Sequence, residues 1–189
     1  VNVSGEFKYT ITAARQKIEY VDGNGNVIKT IENIGTASSN YGDKVDFNVK
    51  QNVPKDYKLV DSNVSTQITI ENGVTKFLVE PNIVTTTDTK TVTRTIIVEN
   101  PDGSENKVVQ TVTFTRPKYT DPVNGEVTYG EWDKSSGNWN KYSAPEIPGY
   151  TSNEVPGEVV TPDTRAKEGS VGYTKHAASK TPDTKKVTR

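Results

Sequence analysis

The chain has 189 residues, of which 31% are hydrophobic and 25% are charged, and its formal net charge is −1. This length allows one or two domains, and the near-neutral charge argues against a nucleic-acid-binding surface, which would carry a basic excess. The absence of cysteine excludes disulfides and thiolate metal sites, and no apolar run approaches the length that membrane insertion requires.

The first half of the chain is predicted to be mainly β-strand. Residues 16–22 and 26–35 alternate in polarity on either side of Gly23-Asn24-Gly25, which predicts two strands joined by a tight turn. Three further short strands are predicted over residues 57–62, 66–71 and 74–81. The one segment that could hold a short helix is residues 41–52, because Val45 and Val49 are spaced as on one helix face.

A domain boundary is predicted within residues 81–89, a polar stretch without alternation. The domains would then be residues 1–85 and 86–189. The phrase TTDTKTVTR at residues 86–94 recurs as TPDTKKVTR at residues 181–189, with seven of nine residues identical. We interpret this phrase as the junction sequence of a tandem array of repeats.

The second half begins with a predicted hairpin. In residues 90–100, Val92, Arg94, Ile96 and Val98 share one strand face, and in residues 107–116 the apolar residues also alternate. The intervening sequence PDGSEN predicts a hairpin turn, since Asp-Gly supplies a position of positive φ.

Two features of the sequence suggest a metal site or a catalytic site, and neither meets the requirements of that chemistry. DGNGNV at residues 22–27 begins like a calcium loop but has Val27 where such loops need glycine and Asn33 where they need glutamate, so a turn is predicted instead. His176 is the single histidine and lacks a recognisable catalytic partner. We therefore expect no enzymatic activity, no metal site and no cofactor. An intramolecular Lys–Asn crosslink is neither supported nor excluded.

An aromatic cluster is the candidate ligand-binding site. Sugars stack their C–H faces on aromatic rings while amide groups bond their hydroxyls, and the composition suits both roles: Tyr129, Trp132, Asn138, Trp139 and Tyr142. Trp139, in a polar stretch, is expected to be the most exposed member. In the alternative interpretation, Tyr129 is a core residue and Trp132 covers the sheet or packs on the loop at residues 144–150.

Five ordered motifs of the second half resemble the B2-type domain of bacterial mucus-binding surface adhesins: TKTVTRTI, VVQTVTFTR, DPVNGEVTYGEW, APEIPGYT and GSVGYTK. The first half resembles, more loosely, the MucBP or B1-type domain, through IEYVDGNGNVI, YGDKVDFNV and YKLVDS. The resemblance implies a mainly β (or α+β) fold of two tandem β-grasp, ubiquitin-like domains in an elongated arrangement.

The resemblance also implies a function and a location. It predicts one repeat of a multi-repeat adhesin that is anchored to the cell wall of a Gram-positive bacterium, lies outside the cell and binds mucus glycoproteins through their glycans. Two alternatives remain: a module that binds immunoglobulins through an exposed β-edge, and a spacer that binds nothing. Function inferred from a family does not locate a site.

Overall fold

The computed structural model describes residues 5–6 and 12–177, and every helix-or-strand element among these residues is a strand. The first six strands are β1 (Gln16–Val21), β2 (Val27–Ile34), β3 (Lys44–Asp46), β4 (Tyr57–Leu59), β5 (Gln67–Thr69) and β6 (Val74–Pro81). The next nine are β7 (Val84–Glu99), β8 (Glu105–Thr120), β9 (Val127–Tyr129), β10 (Gly137–Trp139), β11 (Tyr142–Ser143), β12 (Tyr150–Ser152), β13 (Glu154–Val155), β14 (Glu158–Val160) and β15 (Lys167–Lys175). The described residues include no helix able to cross a membrane.

The chain forms two compact units. The first comprises the residues up to Thr85 together with Tyr119–Thr128, and the second comprises Thr86–Lys118 and the residues from Tyr129 onward. The predicted polar linker at residues 81–89 is largely strand, because β6 includes Pro81 and β7 begins at Val84. Threonine is β-branched and favours strands. A run of threonines shows no alternation of apolar and polar residues, so the sequence pattern did not reveal this strand.

The first unit is built on a four-stranded sheet of order β2-β1-β6-β4. Strand β1 pairs antiparallel with β2 and parallel with β6. Its alternate residues Ile18 and Tyr20 are buried and pack with Val49, Ile68 and Val79. The predicted β1–β2 hairpin is present.

The helix considered for residues 41–52 is absent, and that expectation is wrong. Val45 lies in β3, which pairs with β5, and Val49 lies in the turn that follows. Val49 is buried and Val45 packs against the same core. A strand followed by a turn therefore directs both valines inward. This arrangement explains why two buried valines lie four residues apart, as they would on one face of a helix.

The second unit contains a five-stranded sheet of order β12-β15-β7-β8-β9 and two smaller sheets, β10-β14 and β11-β13. As predicted, alternate residues of β7 face the core: Val92, Arg94, Ile96 and Val98 are all buried. The β7–β8 hairpin turns with Gly103 at a φ of 87°. In both units the first strand lies between its hairpin partner and the last strand, to which it is parallel.

Candidate binding surface around Arg116

Trp139 is not on the surface, so the expectation that it is the most exposed aromatic residue is wrong. Its side chain is 1% exposed and packs with Val92, Phe114 and other core residues. The indole Nε1–H donates a hydrogen bond to the Val92 carbonyl oxygen at 3.2 Å. A ring enclosed in this way cannot stack on a sugar.

Local geometry explains why a polar stretch buries its tryptophan. Residues 137–139 form β10, so successive side chains alternate, with Asn138 exposed and Trp139 inward. Gly137 lets the strand lie close to β8, because a Cβ there would be 2.4 Å from Cγ1 of Val112. The three-residue strand was too short to be recognised by periodicity.

Asn138 and Tyr142 lie outside the aromatic cluster that the structure assembles. Asn138 is opposite Val159 in the β10–β14 pair. Tyr142 is half-buried and packs against a core cluster around Ile96 and Val98, whereas Trp132 packs against the cluster that holds Trp139. Two of the five predicted residues, Tyr129 and Trp132, lie close together in the structure, because both rings contact Arg116.

Tyr129 and Trp132 enclose the guanidinium group of Arg116. The Arg116 Cζ atom is 3.9 Å from the centroid of the Tyr129 ring and 4.2 Å from that of the Trp132 ring. Both contacts have the geometry of cation–π interactions. Tyr129 is 46% exposed and Val127 beside it is also exposed, so the alternative interpretation of Tyr129 as a core residue is wrong.

Backbone contacts to β8 hold the segment that carries both rings. The Gly130 amide donates to the Pro117 carbonyl at 2.9 Å, and the Asp133 amide donates to the Thr115 carbonyl at 2.8 Å. The Asp133 carboxylate in turn accepts a hydrogen bond from the Thr115 amide at 3.0 Å. The segment from Tyr129 to Asp133 is therefore held along β8 on either side of Arg116.

Trp132 also rests on the core. Its ring meets Phe114 edge-on, with centroids 6.4 Å apart and an interplanar angle of 71°. Phe114 is fully buried. The expectation that Trp132 covers the sheet is confirmed, and the same ring also lies against Arg116.

One side of the Arg116 guanidinium is occupied by an acid. Nε donates to Oδ2 of Asp88 on β7 at 2.8 Å, and the two side chains are 27% and 32% exposed. Within residues 5–6 and 12–177, neither Nη nitrogen of Arg116 has a protein acceptor. Sequence reasoning missed Arg116, although its position in phase with Val112 and Phe114 on the buried face of β8 was a usable signal.

The predicted turn at residues 22–27 is confirmed by its hydrogen bonds. The Asp22 carboxylate accepts bonds from the Asn24 amide, the Asn26 amide and the Asn26 side chain at 2.9, 2.9 and 3.0 Å. The Asn26 side chain above all, and then the two amides, lower the pKa of Asp22.

The described part of the chain has no group of three His, Asp or Glu residues placed to hold a metal ion.

His176 lies at the surface. Its Nε2 atom is 2.8 Å from Oγ1 of Thr151, and its ring faces no carboxylate within bonding distance in the described residues. The repeated phrase at residues 181–189 lies outside the described residues.

A family model described as the Muc B2-like domain matches residues 83–177, just over half of the 189 residues. The chain belongs to this family. The recognition made from the sequence motifs is thereby confirmed. No curated protein matches the chain.

Solved structures resemble parts or most of this Muc B2-like chain. The mucin-binding domain of Spr1345 from Streptococcus pneumoniae is 36% identical, covering 50% of this chain and 99% of its own, with a TM-score of 0.43. The structure called Mub-RV is 22% identical over 87% of this chain and 100% of its own, with a TM-score of 0.54.

The type 2 repeat of the mucus binding protein MUB from Lactobacillus reuteri is 20% identical, covering 86% of this chain and 99% of its own, with a TM-score of 0.50. Likeness at 20–22% identity shows the fold alone. Together with the strand order it confirms the predicted mainly β fold with β-grasp-like units.

Proposed function

We propose that this chain is an adhesion module that binds mucus glycoproteins outside a Gram-positive bacterial cell, as one repeat of a wall-anchored protein. Membership of the Muc B2-like family supports this proposal, as does 36% identity to a domain named as mucin-binding. Repetition would supply avidity to a weak single site. We expect binding without catalysis.

We further propose that glycans bind at the Arg116 surface, which we define as Arg116, Tyr129 and Trp132. The observation that carries this proposal is the 46% exposure of a Tyr129 ring that Arg116 holds in place. A fixed, exposed ring offers a flat apolar face at small entropic cost on binding. A pyranose could stack on it while polar groups beside it bond the hydroxyls.

The test is the Tyr129→Ala variant of the whole chain. We expect binding to immobilised mucin to fall severalfold, because the stacking face is lost. The free energy of unfolding should change by about 1 kcal/mol or less, since an exposed ring and one cation–π contact contribute little to stability. Surface plasmon resonance and urea unfolding measure the two effects.

The matched control is Tyr41→Ala in the first unit, where the tyrosine is 66% exposed. This variant should bind mucin as the parent chain does. Equal binding by Tyr129→Ala and the parent would refute the Arg116 surface as the glycan site. Absence of mucin binding by the parent itself would refute the mucus-adhesion function and leave the two alternatives, a module that binds a host protein and a spacer.

A second candidate function is binding of a host protein, such as an immunoglobulin, at a sheet edge. Strand β2 is eight residues long and pairs only with β1 among the described strands. An open edge of this kind can accept a partner's strand. Binding of the parent chain to immunoglobulin, or to mucin stripped of its sugars, would favour this candidate.

A further inference from the structure

We propose that Arg116 makes this surface selective for acidic glycans, by binding a carboxylate or a sulfate ester on the sugar. The inference rests on the proposed function, because it specifies which glycans the Arg116 surface takes. It is carried by the hydrogen-bond donors of Arg116, by the rigidity of its side chain and by its surroundings.

Donor capacity is the first reason. A guanidinium group has five N–H donors in a fixed plane and no acceptor. Asp88 takes the Nε donor of Arg116, and no acceptor among the described residues takes the four donors on Nη1 and Nη2. Four coplanar N–H groups match the two oxygens of one carboxylate, or two oxygens of one sulfate, in a bidentate contact.

Rigidity is the second reason. An arginine loses considerable rotamer freedom when it binds a ligand. Here the Tyr129 and Trp132 rings lie 3.9 and 4.2 Å from Cζ, and Asp88 holds Nε at 2.8 Å. The freedom is therefore already lost in the free protein, and an anion meets a preorganised donor pair.

The surroundings are the third reason. The Arg116 side chain is only 27% exposed, and two aromatic rings within 4.2 Å of Cζ take the place of water around the guanidinium group. Reduced hydration strengthens a charge-assisted hydrogen bond.

The same features exclude a polyanion as the preferred ligand. The chain carries a net charge of −1, and Asp88 compensates much of the charge of Arg116. The site therefore offers geometry for one anionic group and not a field for many. An adjacent exposed ring, Tyr129, adds a face for the sugar that bears the group.

The test on the intact chain is an NMR titration with three soluble probes: sialyllactose, lactose sulfate and lactose. The two tryptophans provide a site reporter and an internal control. We expect the acidic probes to shift the Trp132 indole and the Arg116 Nε–H signals, while the buried Trp139 indole stays unchanged. Lactose should shift these signals at least about tenfold more weakly, because it lacks the group that Nη1 and Nη2 bond.

The two acidic probes distinguish the source of the anion. A response to sialyllactose alone assigns the site to carboxylates, a response to the sulfate alone assigns it to sulfate esters, and either result supports the proposal. Equal responses to lactose and to the acidic probes would overturn it. So would acidic probes that leave both the Trp132 and Arg116 signals in place.

Variants separate this inference from the proposed function. Arg116→Gln should lower affinity for native mucin by about tenfold, and Arg116→Lys, which retains the charge but not the planar fork, should lower it severalfold. The control Arg165→Gln removes the same charge from an exposed residue and should bind as the parent does. Thermal melts show whether each variant folds, and the titration of the parent stands if one does not.

Mucin treated to remove sialic acid and sulfate completes the comparison. We expect the parent chain to bind it about as weakly as Arg116→Gln binds native mucin. Undiminished binding of the parent to treated mucin would overturn the acidic-glycan inference while leaving the adhesion function intact. No binding of the parent to native mucin would overturn both.

Discussion

Arg94 and Arg116 each follow an apolar residue on the same strand face, Val92 and Phe114 respectively, and their partners give them different roles. Arg94 is 2% exposed and donates to the carbonyls of Pro156 at 2.7 Å and Asn140 at 3.0 Å. These bonds connect β7 to the loops beside the two smaller sheets. Arg116 instead meets aromatic rings, and its Nη donors have no acceptor in the part of the chain that the structure describes. A charged residue in phase with a buried strand face therefore indicates a specific set of partners, which the sequence alone does not reveal.

At the same scale, we expect Trp139→Ala to destabilise the second unit by about 3–5 kcal/mol, as truncation of a buried aromatic does. The loss has two parts: a cavity beside Val92 and Phe114, and an unsatisfied Val92 carbonyl. Urea unfolding followed by circular dichroism measures it. A change below about 1 kcal/mol, as expected for an exposed residue, would contradict the buried position.

Tyr20 should make the stability of the first unit sensitive to alkaline pH. Its side chain is buried and its hydroxyl donates to the Val49 carbonyl at 2.7 Å. Burial raises the pKa of Tyr20 from 10.0 to about 12. The folded state thus favours the neutral phenol, so the stabilisation is complete below the unfolded pKa near 10 and is lost as pH rises through the folded value near 12.

The corresponding loss is up to about 3 kcal/mol across this pH window. The measurement is the difference between the parent chain and Tyr20→Phe, because the groups that the two chains share cancel in that difference. Urea midpoints at a series of pH values should decline less steeply for the variant. Parallel pH profiles would show that Tyr20 does not contribute.

At the scale of elements, the position of β10 depends on a glycine. We expect Gly137→Ala to cost about 1–3 kcal/mol, because its Cβ would be 2.4 Å from Cγ1 of Val112 and one of them must move. Gly172→Ala is the control, since no atom lies within 4 Å of a Cβ at that strand position. Adding Val112→Ala to Gly137→Ala should recover part of the loss in a double-mutant cycle.

The elements that the sequence predicted well are those with long alternating patterns. Strands β1, β2, β7 and β8 and their turns follow from period-two burial and from Asp-Gly and Gly-Asn-Gly sequences. The strands predicted over residues 57–62, 66–71 and 74–81 are also present, as β4, β5 and β6, although β4 and β5 are only three residues long. The elements that it missed are three or fewer residues long, such as β10 and β11, or lack apolar alternation, such as the start of β7. Short strands are specified by the tertiary contacts they make, and those contacts are not visible in local periodicity.

The candidate site, like the fold, could be predicted from the sequence only in part. Aromatic composition identified the region of Tyr129 and Trp132, but the burial of Trp139 depends on a close approach between β10 and β8 that only the fold creates. Arg116 acquires its role from residues that follow it by thirteen and sixteen positions, Tyr129 and Trp132. Composition can locate such a surface without identifying its centre.

For the molecule as a whole, we propose that residues 1–85 and 86–177 fold independently. Each has its own buried clusters, one in the first unit and two in the second. Tyr119–Thr128 belongs to the first unit by its contacts, and Ile83 lines a surface pocket with Tyr119 and Thr128. Both fragments should give dispersed amide NMR spectra, and residues 1–85 should differ from the parent chiefly near Ile83. A collapsed spectrum of either fragment would refute independent folding.

The parallel pairing of first and last strands has a mechanical consequence for each unit. β1 lies beside β6 over five residue pairs, and β7 lies beside β15 over six. When a unit is pulled from its two ends, the force slides these strands along each other. All hydrogen bonds of the pair then carry the load at once, whereas a hairpin pulled at its open end loses them one by one. Rupture is therefore governed by the rate of crossing a single barrier and not by equilibrium stability, so each unit can resist brief pulls longer than its free energy of unfolding alone would imply.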